Sequence, residues 1–108
     1  ELKKNFPEIK IIKWGETSDF DIIINATSIG LKEEDEINVN YQQISKDKFF
    51  YDVIYNPPET NFLKNAKKCG GITKNGKMMF IYQAQKAFSI WHKVVPEINK
   101  ETINLLDV

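Results

Sequence analysis

Hydrophobic residues cluster in three short runs in the first half of the chain, separated by polar and turn-forming residues. The runs span residues 9–14, 20–25 and 49–55 and are rich in β-branched and aromatic side chains, so each predicts a β-strand. The second run has hydrophobic residues at consecutive positions, a pattern typical of a strand covered on both faces of a parallel sheet. A fourth, minimal strand is predicted at residues 72–74.

A helix is predicted between the third and fourth strands. Thr60 is a suitable N-cap because its hydroxyl can accept a hydrogen bond from the first turn, and the helix would run through Cys69 to two glycines. The side chains expected to face inward are Phe62, Leu63 and Ala66.

A longer helix is predicted from residue 77 or 78 to residue 93. Its hydrophobic side chains recur every three to four residues, which is the spacing of one helix face, and Pro96 ends the pattern. Shorter helical turns are expected at residues 1–6, around residues 41–46 and from about residue 100. The polar residues 31–40 predict a loop.

Strands that alternate with helices predict an α/β fold with a parallel sheet flanked by helices. In such sheets the ligand lies beyond the carboxyl ends of the strands. Three segments follow those ends, at residues 25–28, 53–55 and 75–79. We therefore expect these three segments to share one edge of the sheet.

The composition of the chain excludes several classes of function. The chain has 108 residues with 15 basic and 15 acidic side chains, so it forms one domain at most and has no net charge to attract nucleic acid or an anionic membrane. Every basic residue is Lys, which leaves no guanidinium to clamp a phosphate through two parallel hydrogen bonds. The hydrophobic runs are too short to span a bilayer and none resembles a signal peptide, so we expect a soluble cytoplasmic protein.

The single cysteine and the single histidine do not indicate a site. Cys69 has no second cysteine for an internal disulfide, and His92 has no metal-ligating neighbours at the usual spacing. We expect a buried inert thiol, a surface or half-buried imidazole, and no metal site.

Four features at the predicted sheet edge could have a chemical role, and each also has a structural interpretation. Residues 25–28 offer small polar side chains where a flat ligand could lie against the main chain, or they form an ordinary turn. Asp52 is a carboxylate inside a hydrophobic strand, where a structural acceptor is favoured over catalysis. Tyr55 offers a hydroxyl to a ligand or only covers the sheet edge. Gln83, one helical turn after Met79, suits a pocket, although such a helix face is more often core.

Together these segments resemble the carboxyl-terminal part of the NADP-binding domain, with its closing helix, of shikimate dehydrogenase. The matching motifs are Asn-Ala-Thr-Ser-Ile-Gly at residues 25–30, Tyr-Asp-Val-Ile-Tyr-Asn-Pro at 51–57 with Thr60, and Asn-Gly-Lys-Met-Met at 75–79, followed by Gln83, Ala87, Phe88 and Trp91. Each motif is weak alone, but they occur in the family's order. The resemblance implies a partial Rossmann-like fold and an enzyme that reduces 3-dehydroshikimate to shikimate with NADPH in aromatic amino-acid biosynthesis.

The resemblance also implies roles for individual residues. The cofactor-binding residues would be Thr27, Ser28, Val53, Gly76 and Met79. Thr27 and Ser28 would lie beside the cofactor, and Val53 would contact its nicotinamide end. The Gly76 carbonyl would accept a hydrogen bond from the carboxamide, and Met79 would pack on the nicotinamide ring. Tyr55 and Gln83 would form hydrogen bonds with the hydroxyls and the carboxylate region of the substrate.

Several parts of such an enzyme are missing from these residues. There is no G-x-G-x-x-G turn for the pyrophosphate. The family's basic segment for the 2′-phosphate and its amino-terminal substrate domain, with a catalytic Lys and Asp, are also missing. We therefore expect residues 1–108 to be the carboxyl-terminal portion of a dinucleotide-binding domain, with no catalytic residue and no activity when isolated.

Two other functions stay open: a relative that acts on quinate or uses NAD, and a non-catalytic α/β module for assembly or regulation. In the family's strand order, the strand at residues 9–14 pairs with a strand outside this chain. We therefore expect it to be exposed at a sheet edge and available for self-association.

Overall fold

A computed structural model describes residues 1–44 and 46–106. Its elements are α1 (Leu2–Asn5), β1 (Ile22–Asn25), a 3-10 turn (Tyr41–Gln43), β2 (Phe49–Asp52), α2 (Asn61–Lys68), β3 (Ile72–Lys74), α3 (Lys77–His92) and α4 (Lys100–Asn104). The strands predicted at residues 20–25, 49–55 and 72–74 are confirmed, although the first two are shorter than predicted. The predicted helices are confirmed as well; the turn expected around residues 41–46 includes Ser45, which lies outside the described residues.

The three strands form one parallel sheet in the order β1-β2-β3. Asn25 at the end of β1 lies opposite Asp52 at the end of β2, and Phe50 of β2 lies opposite Thr73 of β3. Parallel neighbours need a crossover connection, which α2 provides between β2 and β3. The parallel α/β architecture is therefore confirmed, and the carboxyl ends of all three strands lie at one edge.

The strand predicted at residues 9–14 is wrong, because this segment forms no strand. Its side chains are exposed, with Ile11 at 71% and Trp14 at 65% exposure. A single extended segment has no neighbouring strand to satisfy its backbone hydrogen bonds, so a hydrophobic composition alone does not hold it in strand conformation. The predicted exposure of the segment is confirmed, whereas its strand conformation is not.

β1 is covered on one face only, which contradicts the prediction that both faces are covered. Ile22 and Ile24 are each 58% exposed, whereas Ile23 between them packs against the core. Successive side chains of a strand point to opposite faces, so the alternation follows from the strand geometry. The run of isoleucines therefore leaves a hydrophobic strip of the sheet open in this chain.

The covered face of the sheet packs against α2. The Phe50 ring of β2 lies 5.7 Å from the Phe62 ring of α2, and Phe62 is buried with Leu63 and Ala66 as predicted. Thr60 caps α2 as predicted, because its hydroxyl accepts a hydrogen bond from the Leu63 N–H over 3.4 Å. A small core of ring and aliphatic side chains thus fixes α2 beneath β2 and β3.

α3 buries little of its hydrophobic face. Ile81 is buried, whereas Phe88 and Trp91 are exposed, so the expectation that this helix face is mostly core is wrong for this chain. The Gln85 side chain donates a hydrogen bond to the Pro96 carbonyl over 2.7 Å, which ties α3 to the segment before α4.

The single cysteine and the single histidine differ in their surroundings. Cys69 is a free thiol that is half-buried, so it is less enclosed than predicted. His92 is exposed, as predicted, and its ring lies 4.3 Å from that of Phe88. Over residues 1–44 and 46–106, no helix has both the length and the hydrophobicity needed to cross a membrane.

Tyr41 places its hydroxyl against the core without a hydrogen-bond partner in the described part of the chain. Burial is the main cause that raises the pKa of Tyr41 to about 12, and the Glu36 carboxylate adds to the shift. A buried hydroxyl that forms no hydrogen bond costs about 1–3 kcal/mol of stability. This hydroxyl is therefore a local weakness of the core.

Tyr41→Phe is expected to raise the free energy of unfolding by about 1 kcal/mol, because the change removes the unpaired hydroxyl and keeps the ring. Urea denaturation followed by circular dichroism measures the change. Tyr82→Phe is the matched control, since Tyr82 is exposed and its hydroxyl can be hydrated in both the folded and the unfolded protein. A lower denaturation midpoint for Tyr41→Phe would show that its hydroxyl has a stabilising partner.

Candidate functional site

The carboxyl edge of the sheet brings the three predicted segments together. The Val53 N–H donates to the carbonyl of Asn25 over 3.1 Å, which joins the ends of β2 and β1. The Gly76 N–H donates to the carbonyl of Ile54 over 3.1 Å, which joins the start of α3 to the segment after β2. The prediction that these segments share one edge is therefore confirmed.

Asp52 is the hydrogen-bond centre of this edge, and its side chain is fully buried at 0% exposure. Its Oδ1 accepts from the Asn25 side-chain amide over 3.1 Å and from the Ile54 N–H over 3.0 Å. Its Oδ2 accepts from the Thr60 hydroxyl over 2.6 Å. A buried carboxylate is tolerated when its oxygens are satisfied in this way, so the structural interpretation of Asp52 is confirmed.

Asn25 holds the turn that follows β1. Its Oδ1 accepts from the Thr27 N–H over 3.1 Å and from the Thr27 hydroxyl over 2.7 Å, and its amide also donates to the Ile29 carbonyl over 2.9 Å. Asn25 is buried and Ser28 is exposed. Asn25 therefore shapes the turn from within, and the side chains that the turn presents outward come after it.

Gly76 lies where the chain enters α3 and is in close contact with Val53, the residue that follows β2. A Cβ at this position would lie 2.5 Å from the carbonyl carbon of Val53 and closer still to its oxygen, so no side chain fits. The Gly76 carbonyl accepts from the Phe80 N–H over 2.9 Å within the first turn of α3. Asn75 braces the same corner, with its amide donating to the Pro58 carbonyl over 2.8 Å.

Tyr55, Met79 and Gln83 lie on the side of this edge that α3 forms. The Tyr55 ring stacks on the ring of Phe80, with 4.5 Å between centroids and an interplanar angle of 27°. Met79 and Gln83 are one helical turn apart and both are exposed. The sequence places Met79 and Gln83 on one face, and the structure leaves that face open.

The loop after the turn is ordered by backbone hydrogen bonds to one carboxylate. Asp35 Oδ2 accepts from the Gly30 N–H over 2.9 Å and from the Lys32 N–H over 3.1 Å. These bonds, the one from Gly30 first, hold the pKa of Asp35 below its ordinary value. The Asn61 side chain of α2 adds hydrogen bonds to the same loop, so this stretch has a fixed shape despite its polar composition.

Two open clefts flank the edge. One, of about 400 Å³, lies between the loop after Gly30 and the start of α2, and its walls include Asn56 and Thr60. The other, of about 240 Å³, lies beside β1 and is lined by Thr27 among others. The remaining six predicted site residues line neither of these two clefts, and three of them, Ser28, Met79 and Gln83, are exposed.

Two residues that build this edge, Asn75 and Phe80, were given no individual role from the sequence. Asn75 had a signal, because an Asn before Gly at a helix start can satisfy free backbone groups of the first turn; its Oδ1 accepts from the Lys77 N–H over 3.2 Å. Phe80 had none, since its contact with Tyr55 joins residues 25 positions apart in the sequence.

Three parallel strands flanked by helices, with polar turns collected at their carboxyl edge, define a Rossmann-like α/β protein. Solved structures agree with this class. A shikimate dehydrogenase in complex with NADP+ is 44% identical with a TM-score of 0.70, over 80% of this chain and 30% of that one. A quinate dehydrogenase from Corynebacterium glutamicum in complex with NAD is 31% identical with a TM-score of 0.69, over 82% of this chain and 31% of that one.

No family model matches the chain. A shikimate dehydrogenase (NADP(+)) from Pelagibacter ubique is 89% identical over 108 residues, which are all of this chain and 41% of that protein. The predicted resemblance to part of a shikimate dehydrogenase is therefore confirmed. The chain spans about two-fifths of the length of this relative.

Proposed function

We propose that this chain is the nicotinamide-end portion of a shikimate dehydrogenase that reduces 3-dehydroshikimate to shikimate with NADPH. The main support is the junction at the sheet edge, where the Val53 and Gly76 backbones join three segments whose motifs match the family. In this proposal residues 1–108 form the carboxyl-terminal portion of the dinucleotide-binding domain. The Gly-rich turn and the amino-terminal substrate domain belong to parts of the protein beyond these residues.

The residues at the edge fit a nicotinamide group. Ser28 and Met79 are exposed on the two sides of the edge, and the half-buried Val53 lies between them with its backbone held by Asn25. Thr27 would contact the cofactor through the turn after β1. Gly76 would contact it through its carbonyl oxygen, which retains a free lone pair. Met79 supplies a soft thioether surface suited to a flat ring. When bound, the cofactor would supply the hydride.

Tyr55 and Gln83 are the proposed substrate contacts. A phenolic hydroxyl and an amide can both donate and accept hydrogen bonds, which suits the hydroxyls and carboxylate of a polyhydroxylated ring acid. Holding the substrate carbon close to the hydride donor provides much of the rate in such a reaction. We propose no catalytic acid or base among these residues, in line with the family's use of groups in the other domain.

A second candidate is a quinate dehydrogenase that uses NAD. The solved quinate dehydrogenase in complex with NAD, with its TM-score of 0.69, favours this alternative. The non-catalytic module stays the other alternative. Three further properties stay predictions from the sequence: a cytoplasmic location, self-association through the sheet edge, and the lack of nucleic-acid or membrane partners.

A chimera tests these functions directly. It is the Pelagibacter ubique relative with its matching 108 residues replaced by this chain, a substitution favoured by their 89% identity. We expect oxidation of shikimate with NADP, measured by nicotinamide absorbance, and slower reactions with quinate or NAD. Preference for quinate and NAD would support the second candidate, and a folded but inactive chimera would support the non-catalytic module. The isolated chain is expected to show no turnover above the buffer control.

Gln83→Ala in the chimera is expected to lower kcat/KM for shikimate, because it leaves a polar group of the bound substrate unpaired. The decrease should correspond to a loss of about 1–3 kcal/mol of transition-state stabilisation. Gln85→Ala is the matched control on the same helix. Its amide bonds the Pro96 carbonyl, so its loss should change the melting temperature and leave the kinetics intact. Unchanged kinetics in Gln83→Ala would exclude this residue from the substrate site.

A further inference from the structure

We propose that Phe80 is a positioning residue that fixes the Tyr55 side chain in the substrate site. The proposal rests on the proposed function, in which Tyr55 forms a hydrogen bond with the substrate. It adds a residue that touches neither substrate nor cofactor and acts through Tyr55.

The backbone before Tyr55 is held, whereas its side chain needs a separate support. The Ile54 N–H donates to Asp52 over 3.0 Å, and the Ile54 carbonyl accepts from Gly76 over 3.1 Å. These bonds fix where the Tyr55 side chain starts. Rotation about two side-chain bonds then determines the position of the Tyr55 hydroxyl. The stacked Phe80 ring, with 4.5 Å between the ring centroids, restricts rotation about both bonds.

Phe80 is itself well anchored. Its N–H donates to the Gly76 carbonyl over 2.9 Å in the first turn of α3, and its side chain is half-buried. Gln83 follows three residues later on the same helix, so the two residues are neighbours on the helix surface. The stacked ring therefore links Tyr55 to the helix that presents the other proposed substrate contact.

A hydroxyl whose direction is set before binding loses less conformational freedom when the substrate arrives. Removal of the Phe80 ring should thus weaken substrate binding through Tyr55 and leave the cofactor contacts of Val53 and Met79 intact. The expected signature is a rise in KM for shikimate without a rise in KM for NADP.

The test is a double-mutant cycle in the chimera, with Phe80→Ala, Tyr55→Phe and the double variant. Phe80→Ala is expected to raise KM for shikimate about twofold to tenfold, the range for losing a stacked aromatic pair. Tyr55→Phe keeps the stacked ring but lacks the hydroxyl, so adding Phe80→Ala to it should raise KM no further. Phe80→Tyr, which keeps an aromatic ring, should have the same KM for shikimate as the unsubstituted chimera. Phe88→Ala removes a ring that lies against His92 instead and is the control for a general effect on α3.

Three results would overturn the proposal: an equal rise in KM with and without the Tyr55 hydroxyl, an equal rise in KM for NADP, or no rise at all. If Phe80→Ala does not fold, Phe80→Leu replaces it in the cycle. An inactive chimera beside an active parent would reject the proposed function and the role of Phe80 with it. An active chimera in which Tyr55→Phe has normal kinetics would reject only the roles of Tyr55 and Phe80.

Discussion

Asp52→Ala is expected to lower the free energy of unfolding of the chimera by about 3 kcal/mol or more, since each buried donor left unpaired costs about 1–3 kcal/mol. Three donors lose their acceptor: the Asn25 amide, the Ile54 N–H and the Thr60 hydroxyl. Because no side-chain atom replaces the carboxylate, the site also gains a cavity. Urea denaturation gives the change in stability.

Asp52→Asn separates the loss of hydrogen bonds from the loss of volume. The amide keeps one acceptor oxygen and replaces the other by a donor that faces the Thr60 hydroxyl. We expect an intermediate loss of stability, because the Thr60 hydroxyl loses its acceptor while the remaining oxygen still accepts from Asn25 and Ile54. Asp19→Ala is the control, since the Asp19 carboxylate is 98% exposed and forms a surface ion pair with Lys48. Equal stability of Asp52→Ala and Asp19→Ala would mean that the buried network contributes little.

Gly76→Ala is expected to have the second large effect, because the new methyl group would overlap backbone atoms of Val53 that cannot rotate away. Overpacking in a tight site costs about 1–3 kcal/mol, and occasionally more. Relief requires α3 to move away from β2, which breaks the hydrogen bond from Gly76 to Ile54. We therefore expect both a lower melting temperature and a higher KM for NADP in the chimera.

Gly70→Ala provides a matched glycine control. Gly70 has a φ of +86°, so alanine there is strained by its backbone, but the nearest atoms to its Cβ would belong to the flexible side chain of Lys46, the first at 3.4 Å. A cost of about 1 kcal/mol and normal kinetics are expected. If Gly76→Ala behaved like Gly70→Ala, the close contact with Val53 would not control the geometry of the proposed cofactor site.

Local signals allowed the strands, the helices and the cap of α2 to be predicted. The Thr60 cap, the inward-facing Phe62 and the breaks after β1 and β2 depend on residues close together in the sequence, so pattern and turn chemistry identify them. Asp52 was predicted as a structural acceptor for a general reason, because a carboxylate inside a hydrophobic strand needs hydrogen-bond donors.

What the sequence could not provide depends on distant residues. Residues 9–14 have strand composition, but a strand exists only where a neighbour pairs with it, and the local sequence does not specify that neighbour. For the same reason the three isoleucines of β1 predicted two covered faces, although one face is open here. The Tyr55 and Phe80 stack likewise joins a strand end to a helix start, and each ring alone has an ordinary interpretation.

The buried Asp52 network divides the sheet edge into a fixed frame and an exchangeable surface. One carboxylate connects Asn25, 27 positions earlier, with Thr60, eight positions later, so these segments keep their spacing together. Ser28, Met79 and Gln83 are exposed outside this frame. Substitutions that aim to change the ligand of this edge should therefore be made at the exposed positions, because changes inside the frame alter every contact at once.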